Sequence, residues 1–239
     1  MKNTILHKAN TRGHADHGWL NAHHTFSFAS YYDPNRVQFG VLRVLNDDIV
    51  AAGMGFGTHP HDNMEIITIP LEGDLAHKDS MGNTEIIKFG DVQVMSAGTG
   101  IQHSEFNPNH DQRTNLLQIW VFPKERNVEP RYQQITLDTS DRHNKFQQIL
   151  SPNSDDDGVW IHQDAWFHMG NLDAGTTVNY QRKLEGNGLY IFVIKGSVKV
   201  DGQQLEQRDG LGITDFDEVI FEATSDTELL LMEVPMLAN

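Results

Sequence analysis

The chain of 239 residues is 38% hydrophobic and 21% charged, long enough to bury one large or two small cores and too polar for a membrane span. The 33 Asp and Glu against 18 Lys and Arg leave a net charge of −15, which repels phosphate backbones and anionic lipid and argues against direct nucleic-acid or membrane binding. The absence of cysteine excludes disulfides, thiolate nucleophiles, Cys-ligated zinc and iron–sulfur clusters. No stretch of signal-peptide length opens the sequence and its longest apolar run, 189–194, is far short of a bilayer crossing, so a cytoplasmic protein is expected.

In chain order, short β-branched and aromatic runs at 38–45, 64–71, 84–89, 116–122, 190–194 and 229–234 read as strands of sandwich or barrel length. Glycine turns such as Glu72-Gly73-Asp74, Phe89-Gly90-Asp91 and Lys195-Gly196-Ser197 punctuate them. Helical periodicity is scarce; a short helix is predicted over 144–150, ended by Ser151-Pro152. Pro123, Pro130 and the polar stretch that follows mark a boundary near residue 140, giving units 1–140 and 141–239. The two halves echo one another, Ile69-Pro70-Leu71-Glu72-Gly73 against Val193-Ile194-Lys195-Gly196 and Gly90-Asp91 against Asp209-Gly210, which suggests a duplicated β-barrel.

Ten of the 13 histidines lie at or before position 110. His59-Pro60-His61 places two imidazoles at i and i+2, on one face of an extended strand, and His103-Ser104-Glu105 repeats the spacing with an imidazole and a carboxylate. Two strands giving two ligands each can converge on one ion. Three imidazoles and a carboxylate suit Fe, Zn, Cu, Ni, Co or Mn better than Ca or Mg, and an octahedral ion on four ligands keeps two positions open for chemistry. Glu65, four residues past His61, shares its face if that strand is unbroken and is an alternative carboxylate.

Other signals carry less. Asn153-x-Asp155-x-Asp157-Gly158-x5-Asp164 imitates a calcium loop but ends in Asp and lacks flanking helices, so it reads as a solvated loop. The glycines at 53, 55 and 57 form no dinucleotide fingerprint, and neither a phosphate loop nor a Gly-x-Ser-x-Gly elbow occurs. His77 and His110 are isolated among turn residues and are expected at the surface. His14, His17, His23 and His24 are expected to cap or support rather than ligate. Trp19, Phe26, Phe28, Tyr31 and Tyr32 read as core with the capacity to stack on a flat phenol, and Trp160, Trp166 and Phe167 as core or interdomain packing.

Gly53-x5-His59-x-His61-x3-Glu65-x7-Gly73 followed by Gly90-x7-Gly98-x4-His103 resembles the two cupin motifs. The stretches 19–31, His59-Pro60-His61, Gly98-Thr99-Gly100-Ile101-Gln102-His103-Ser104-Glu105 and Ile161-His162-Gln163-Asp164-Ala165 are similar to the pirin family over essentially the whole chain. The resemblance implies a mainly β bicupin of two tandem cupin-type (jelly-roll) barrels. In it the barrel within 1–140 holds a divalent transition metal, foremost Fe(II), through His59, His61, His103 and Glu105, and Glu65 is not a ligand. The barrel within 141–239 is expected to bind no metal, since the offsets that separate His59 and His61 from Gly73 fall on Arg182 and Leu184 when counted back from Gly196.

Bacterial members of the family are associated with quercetin 2,3-dioxygenase activity, which implies a small phenolic substrate, a flavonol, together with O2. The flavonol heterocycle opens with release of carbon monoxide, and Glu105 is the catalytic group that takes the substrate's proton. Other members are associated with transcriptional co-regulation, so the alternative is a redox-sensing regulatory protein acting through a protein partner; a structural zinc site is the third reading. A monomer is expected.

Overall fold

A computed structural model describes residues 2–237. The first half contributes β1 (Asn3–His7), β2 (Gly13–Asp16), β3 (Leu20–His24), β4 (Leu42–Val50), β5 (Gly55–His61), β6 (Glu65–Glu72), β7 (Leu75–Asp79), β8 (Thr84–Ile87), β9 (Asp91–Ser96), β10 (Ile101–Phe106), β11 (Thr114–Val121) and β12 (Arg131–Thr136). The second contributes β13 (Phe146–Ser151), β14 (Val159–Trp160), β15 (Trp166–Leu172), β16 (Thr177–Gln181), β17 (Asn187–Lys195), β18 (Ser197–Val200), β19 (Gln203–Glu206), β20 (Gly210–Thr214), β21 (Glu218–Ala223) and β22 (Thr227–Pro235). Helix is confined, among the described residues, to two single 3-10 turns, Ala9–Thr11 and Thr139–Arg142, and no helix is long and apolar enough to cross a membrane.

The strands form four sheets, two to a cupin-type barrel. In the first barrel a seven-stranded sheet, β12-β9-β6-β11-β4-β3-β2, faces a four-stranded sheet, β5-β10-β7-β8; in the second, β1-β20-β17-β22-β15-β13-β14 faces β16-β21-β18-β19. The first strand therefore serves the second barrel: Asn3–His7 pairs antiparallel with β20, and Lys8 and the backbone N–H of Ala9 both reach the Asp209 carboxylate.

The two large sheets pack face to face. Leu42, Leu45, Ile67, Ile69, Val94, Leu117 and Ile119 from one meet Leu150, Phe167, Met169, Phe192, Leu230 and Met232 from the other in one apolar layer. Because side chains alternate across a strand, the neighbours of these residues point into the barrels. In the second barrel they are apolar, as with Leu189, Ile191, Val193, Leu229 and Leu231. In the first, buried Asn46, Asp48, Thr68, Gln93, His77, His103 and Glu105 are polar, and the apolar clusters are small. The interior of the first barrel is a site rather than a core.

Two expectations need correction. The helix predicted over 144–150 is strand β13, because Asn144 adopts a left-handed backbone (φ 54°) that stops a helix, and Ile149 and Leu150 are wanted in the layer between sheets. The strand predicted over 38–45 begins at Leu42, after a turn through Gly40 (φ 54°), and runs to Val50. Asn46, Asp47 and Asp48, just past the predicted strand, are all buried within β4. Asp47 meets Arg12 and Arg208 at the barrel junction, and Asn46 meets His24 inside the barrel.

Candidate metal centre

The small sheet of the first barrel builds the centre. β10 lies between β5 and β7, so His103 sits opposite His59 on one side and Asp79 on the other, while Glu105 sits opposite His77. The register of β5 against β10 shifts between His103 and Glu105. That bulge falls at Gly57, whose carbonyl accepts a 2.8 Å hydrogen bond from His59 Nδ1–H and leaves His59 Nε2 free to face the other imidazoles.

The ring centroids of His59, His61 and His103 lie 4.4–5.0 Å apart, and one nitrogen of each falls within 4.8 Å of the others. Glu105 does not join this set. It converges instead with His103 and His77, so the two groups share His103 as their hinge. Glu65 belongs to neither; its carboxylate accepts a 2.6 Å hydrogen bond from Ser96 Oγ, and burial raises it to about 7.

The donor atoms suit a cation. Both nitrogens of buried His103 and Nδ1 of buried His77 have no hydrogen-bond partner, and an ion coordinated by one His103 nitrogen would remove a cost of roughly 1–3 kcal/mol at that atom. Burial, reinforced by the neighbouring imidazoles, lowers His103 to about 2, and burial followed by His59 lowers His61 to about 4. These rings are therefore neutral near pH 7, the form that ligates. Glu105 is enclosed, and desolvation raises it to about 7 although Gln118 Nε2 donates to its carboxylate at 3.1 Å. Thr68 in turn donates to Gln118 at 3.3 Å, so strands β6, β11 and β10 fix one carboxylate.

His77 is corrected from the surface to the interior: it is 1% exposed, and Asp79 holds its Nε2 at 3.3 Å. Asp79 is itself pinned by the N–H groups of Met81 and Asn83. An isolated His in a Gly-punctuated stretch gives no sign of this, although its alternation with Leu75 and Asp79 along an extended run was a usable hint. Two further neighbours escaped the sequence reading. Trp120 lies edge-on to His61 at 4.9 Å and carries Phe28 on its other side, and Gln118 grips Glu105. His14 and His23 stack on each other at 4.6 Å, and His24 bonds to Asn46; none of them joins the convergent imidazoles. His110 is exposed, and the residues of the calcium-like loop join no convergent group among the described residues.

A family model named Pirin matches residues 6–121, and one described as the quercetinase C-terminal cupin domain matches residues 148–234. A protein named quercetin 2,3-dioxygenase from Escherichia coli (strain K12) is 47% identical over 230 residues, 96% of this chain and 98% of that protein. A pirin-like protein from Caulobacter vibrioides is 44% identical over 222 residues, 92% of this chain and 95% of that one. The crystal structure of the bacterial pirin YhhW from Escherichia coli in complex with nickel(II) superposes with a TM-score of 0.93 at 45% identity, over 98% of this chain and 100% of that one. With likeness of that extent running through both barrels and a cluster of imidazoles that fits a metal, the chain belongs to the pirin family of cupin-fold proteins.

Proposed function

We propose that this protein is a metal-dependent dioxygenase that cleaves flavonols such as quercetin with O2 and releases carbon monoxide. The observation that carries the proposal is the convergence of three imidazoles, His59, His61 and His103, beside an enclosed carboxylate, in a chain whose relatives are named quercetin 2,3-dioxygenase. His59, His61 and His103 would hold the ion, Glu105 would reach it through His103, the residue that the two convergent groups share, as the fourth donor, and Fe(II) would be the ion in the cell. When bound, the ion supplies Lewis-acid polarisation of a substrate oxygen and a place for O2. We assign the centre to a barrel within residues 1–140 and a scaffolding role to the barrel within 141–239.

The residues around the centre do the rest. A cavity of about 610 Å³ opens beside His61 and is lined by Pro60, Ser80, Thr99 and Ile101, which gives a planar polycyclic phenol room to lie against a partly apolar wall. Trp120, held edge-on to His61, fixes the orientation of that ring. Glu105, an enclosed carboxylate, would accept the proton of a flavonol 3-hydroxyl. Gln118 Nε2 keeps the accepting oxygens aimed, so the proton moves to a group already in place. Deprotonation makes the heterocycle electron-rich; addition of O2 inserts both oxygen atoms and expels the hydroxyl-bearing carbon as carbon monoxide.

The test is quercetin-dependent carbon monoxide release by protein loaded separately with Fe(II), Cu(II), Ni(II), Mn(II) and Co(II). Wild type is expected to release it with at least one ion, and His61→Ala to lose both metal and turnover. Tight metal binding with no turnover on any ion would refute the dioxygenase assignment.

A further inference from the structure

The second barrel has a mouth of its own. β15 sends Phe167 and Met169 into the layer between sheets and therefore turns His168 the other way, into the barrel alongside Leu172. His168 is 4% exposed, its Nδ1 is buried without a hydrogen-bond partner, and its ring is the floor of two adjoining cavities of about 430 and 560 Å³. Both cavities also share Lys145, Phe146 and Lys183.

The walls differ in character. The smaller cavity is completed by Val178, Asn179, Tyr180 and Gln181; its charged lining residues are the two lysines, in a protein of net charge −15, and the nearby Glu218 carboxylate is engaged by Asn179 and Gln181. Tyr180 stands edge-on to His168 at 5.1 Å and Phe146 edge-on to Tyr180 at 6.2 Å, which gives the slot beside the two ammonium groups one continuous apolar wall. The wall that belongs to the larger cavity alone carries Asp138 and Asp157, acceptors for hydroxyl donors and repulsive to an anion, and Asp141, which pairs with Lys145.

The slot is preformed. Glu233, fully buried behind it, accepts hydrogen bonds from the Tyr180 hydroxyl, the backbone N–H groups of Lys183 and Leu184, and Asn187 Nδ2. Four donors saturate that carboxylate and fix the ring of Tyr180 and the backbone that projects Lys183. Lys145 is engaged only by Asp141 at 3.7 Å, in a pair about 60% exposed on both sides, and is readily available to another anion.

We propose that the mouth of the second barrel binds a small hydroxylated aromatic carboxylate: the carboxylate on Lys145 and Lys183, the ring against the edges of Phe146 and Tyr180 above His168, and the hydroxyl toward Asp138 and Asp157. Each end of the cavity selects one end of the ligand, since the acidic wall rejects the carboxylate and the lysines have no use for a hydroxyl donor. The site is separate from the metal centre and does not depend on the dioxygenase assignment.

The experiment is a titration of the metal-loaded protein with 4-hydroxybenzoate, followed by calorimetry and by the ring C–H resonances of His168. Saturable binding with a shift of those resonances is expected, and 4-hydroxybenzamide, which lacks the charge, is expected not to bind. Lys145→Gln/Lys183→Gln, which alters only exposed side chains, should weaken binding by at least about tenfold, the loss of one charge-assisted contact. His61→Ala should bind the probe as wild type does. An unchanged affinity in the double lysine variant, no saturable binding by wild type, or binding abolished only by His61→Ala would each overturn the proposal, the last by placing the probe at the metal centre.

Discussion

Replacing Asp48 with Asn should stabilise the metal-free protein, increasingly so as pH rises. Asp48 lies within β4 on the face that looks into the first barrel, 5% exposed, with Oδ1 lacking any partner. Burial first, then the charges of Asp47 and Glu105, raise it from 3.8 to about 8. In the unfolded chain the carboxyl titrates near 3.8, so between that pH and about 8 the folded state holds a proton the unfolded state has lost, and stability falls as pH rises through this window. At about 1.4 kcal/mol per pH unit the full penalty is on the order of 5 kcal/mol above pH ~8, an upper bound because side chains relax. Asn carries no charge and nearly the same shape, so the two proteins should match below pH ~3.8, differ by roughly 1.5 kcal/mol near pH ~5 and separate by several kcal/mol near pH ~9. Urea unfolding followed by circular dichroism across that range measures the difference. A gap that stays under about 1 kcal/mol throughout would mean that Asp48 is solvated or partnered, and the argument from burial would fail.

Gln118→Leu removes the donor that aims Glu105; turnover should drop roughly 10- to 100-fold with metal content unchanged, and metal analysis beside a rate assay separates the two. His7 and His168 are held neutral by burial, at about 4 and about 3, so the unfolded chain takes up protons that the folded one refuses as pH falls below 6.5. Stability from this source is lost on acidification, and the His7→Gln/His168→Gln protein should show a shallower acid slope than wild type in urea midpoints; an identical slope would contradict it. Arg131 lies 3.8 Å over the Trp160 ring, donates to the Trp160 carbonyl at 2.6 Å and so joins β12 to β14. Arg131→Ala should lower stability by about 1–3 kcal/mol, and a change within error in thermal unfolding would show that the contact is solvent-screened.

The predominance of strands and their approximate positions were legible because period-two patterning and glycine turns are local signals. So was the pairing of His59 with His61 and of His103 with Glu105 on their strands, since i, i+2 spacing fixes a shared face whatever the tertiary setting. What failed was whatever depends on a distant partner. Asn46-Asp47-Asp48 carries turn propensity, and Arg12, Arg208, Asn115 and His24, brought from elsewhere, make Asn46 and Asp47 tolerable inside a strand. His77 became interior through its registration against Glu105, and the split of the cluster into two groups sharing His103 follows from a bulge at Gly57 that no spacing rule foretells. In 144–150, the left-handed turn at Asn144 is anchored by a bond from its side chain to Asp173, a contact invisible in a seven-residue window.

The pairing of Asn3–His7 with Gly210–Thr214 sets an order of events for a chain made from its N-terminus. Strand Asn3–His7 leaves the ribosome before its partner and must wait, unpaired, until about 200 further residues have followed. The first barrel lies between the two partners, so it can close as an independent nucleus while its leading segment remains loose. Final docking of that segment then acts as a latch on the finished molecule. Entropy of so wide a closure grows only logarithmically with length, and the latch is affordable. An edge strand held by five residues should also be the first to let go, giving hydrogen exchange a protection pattern that begins to fail at residues 3–7 and spares the strands around His103.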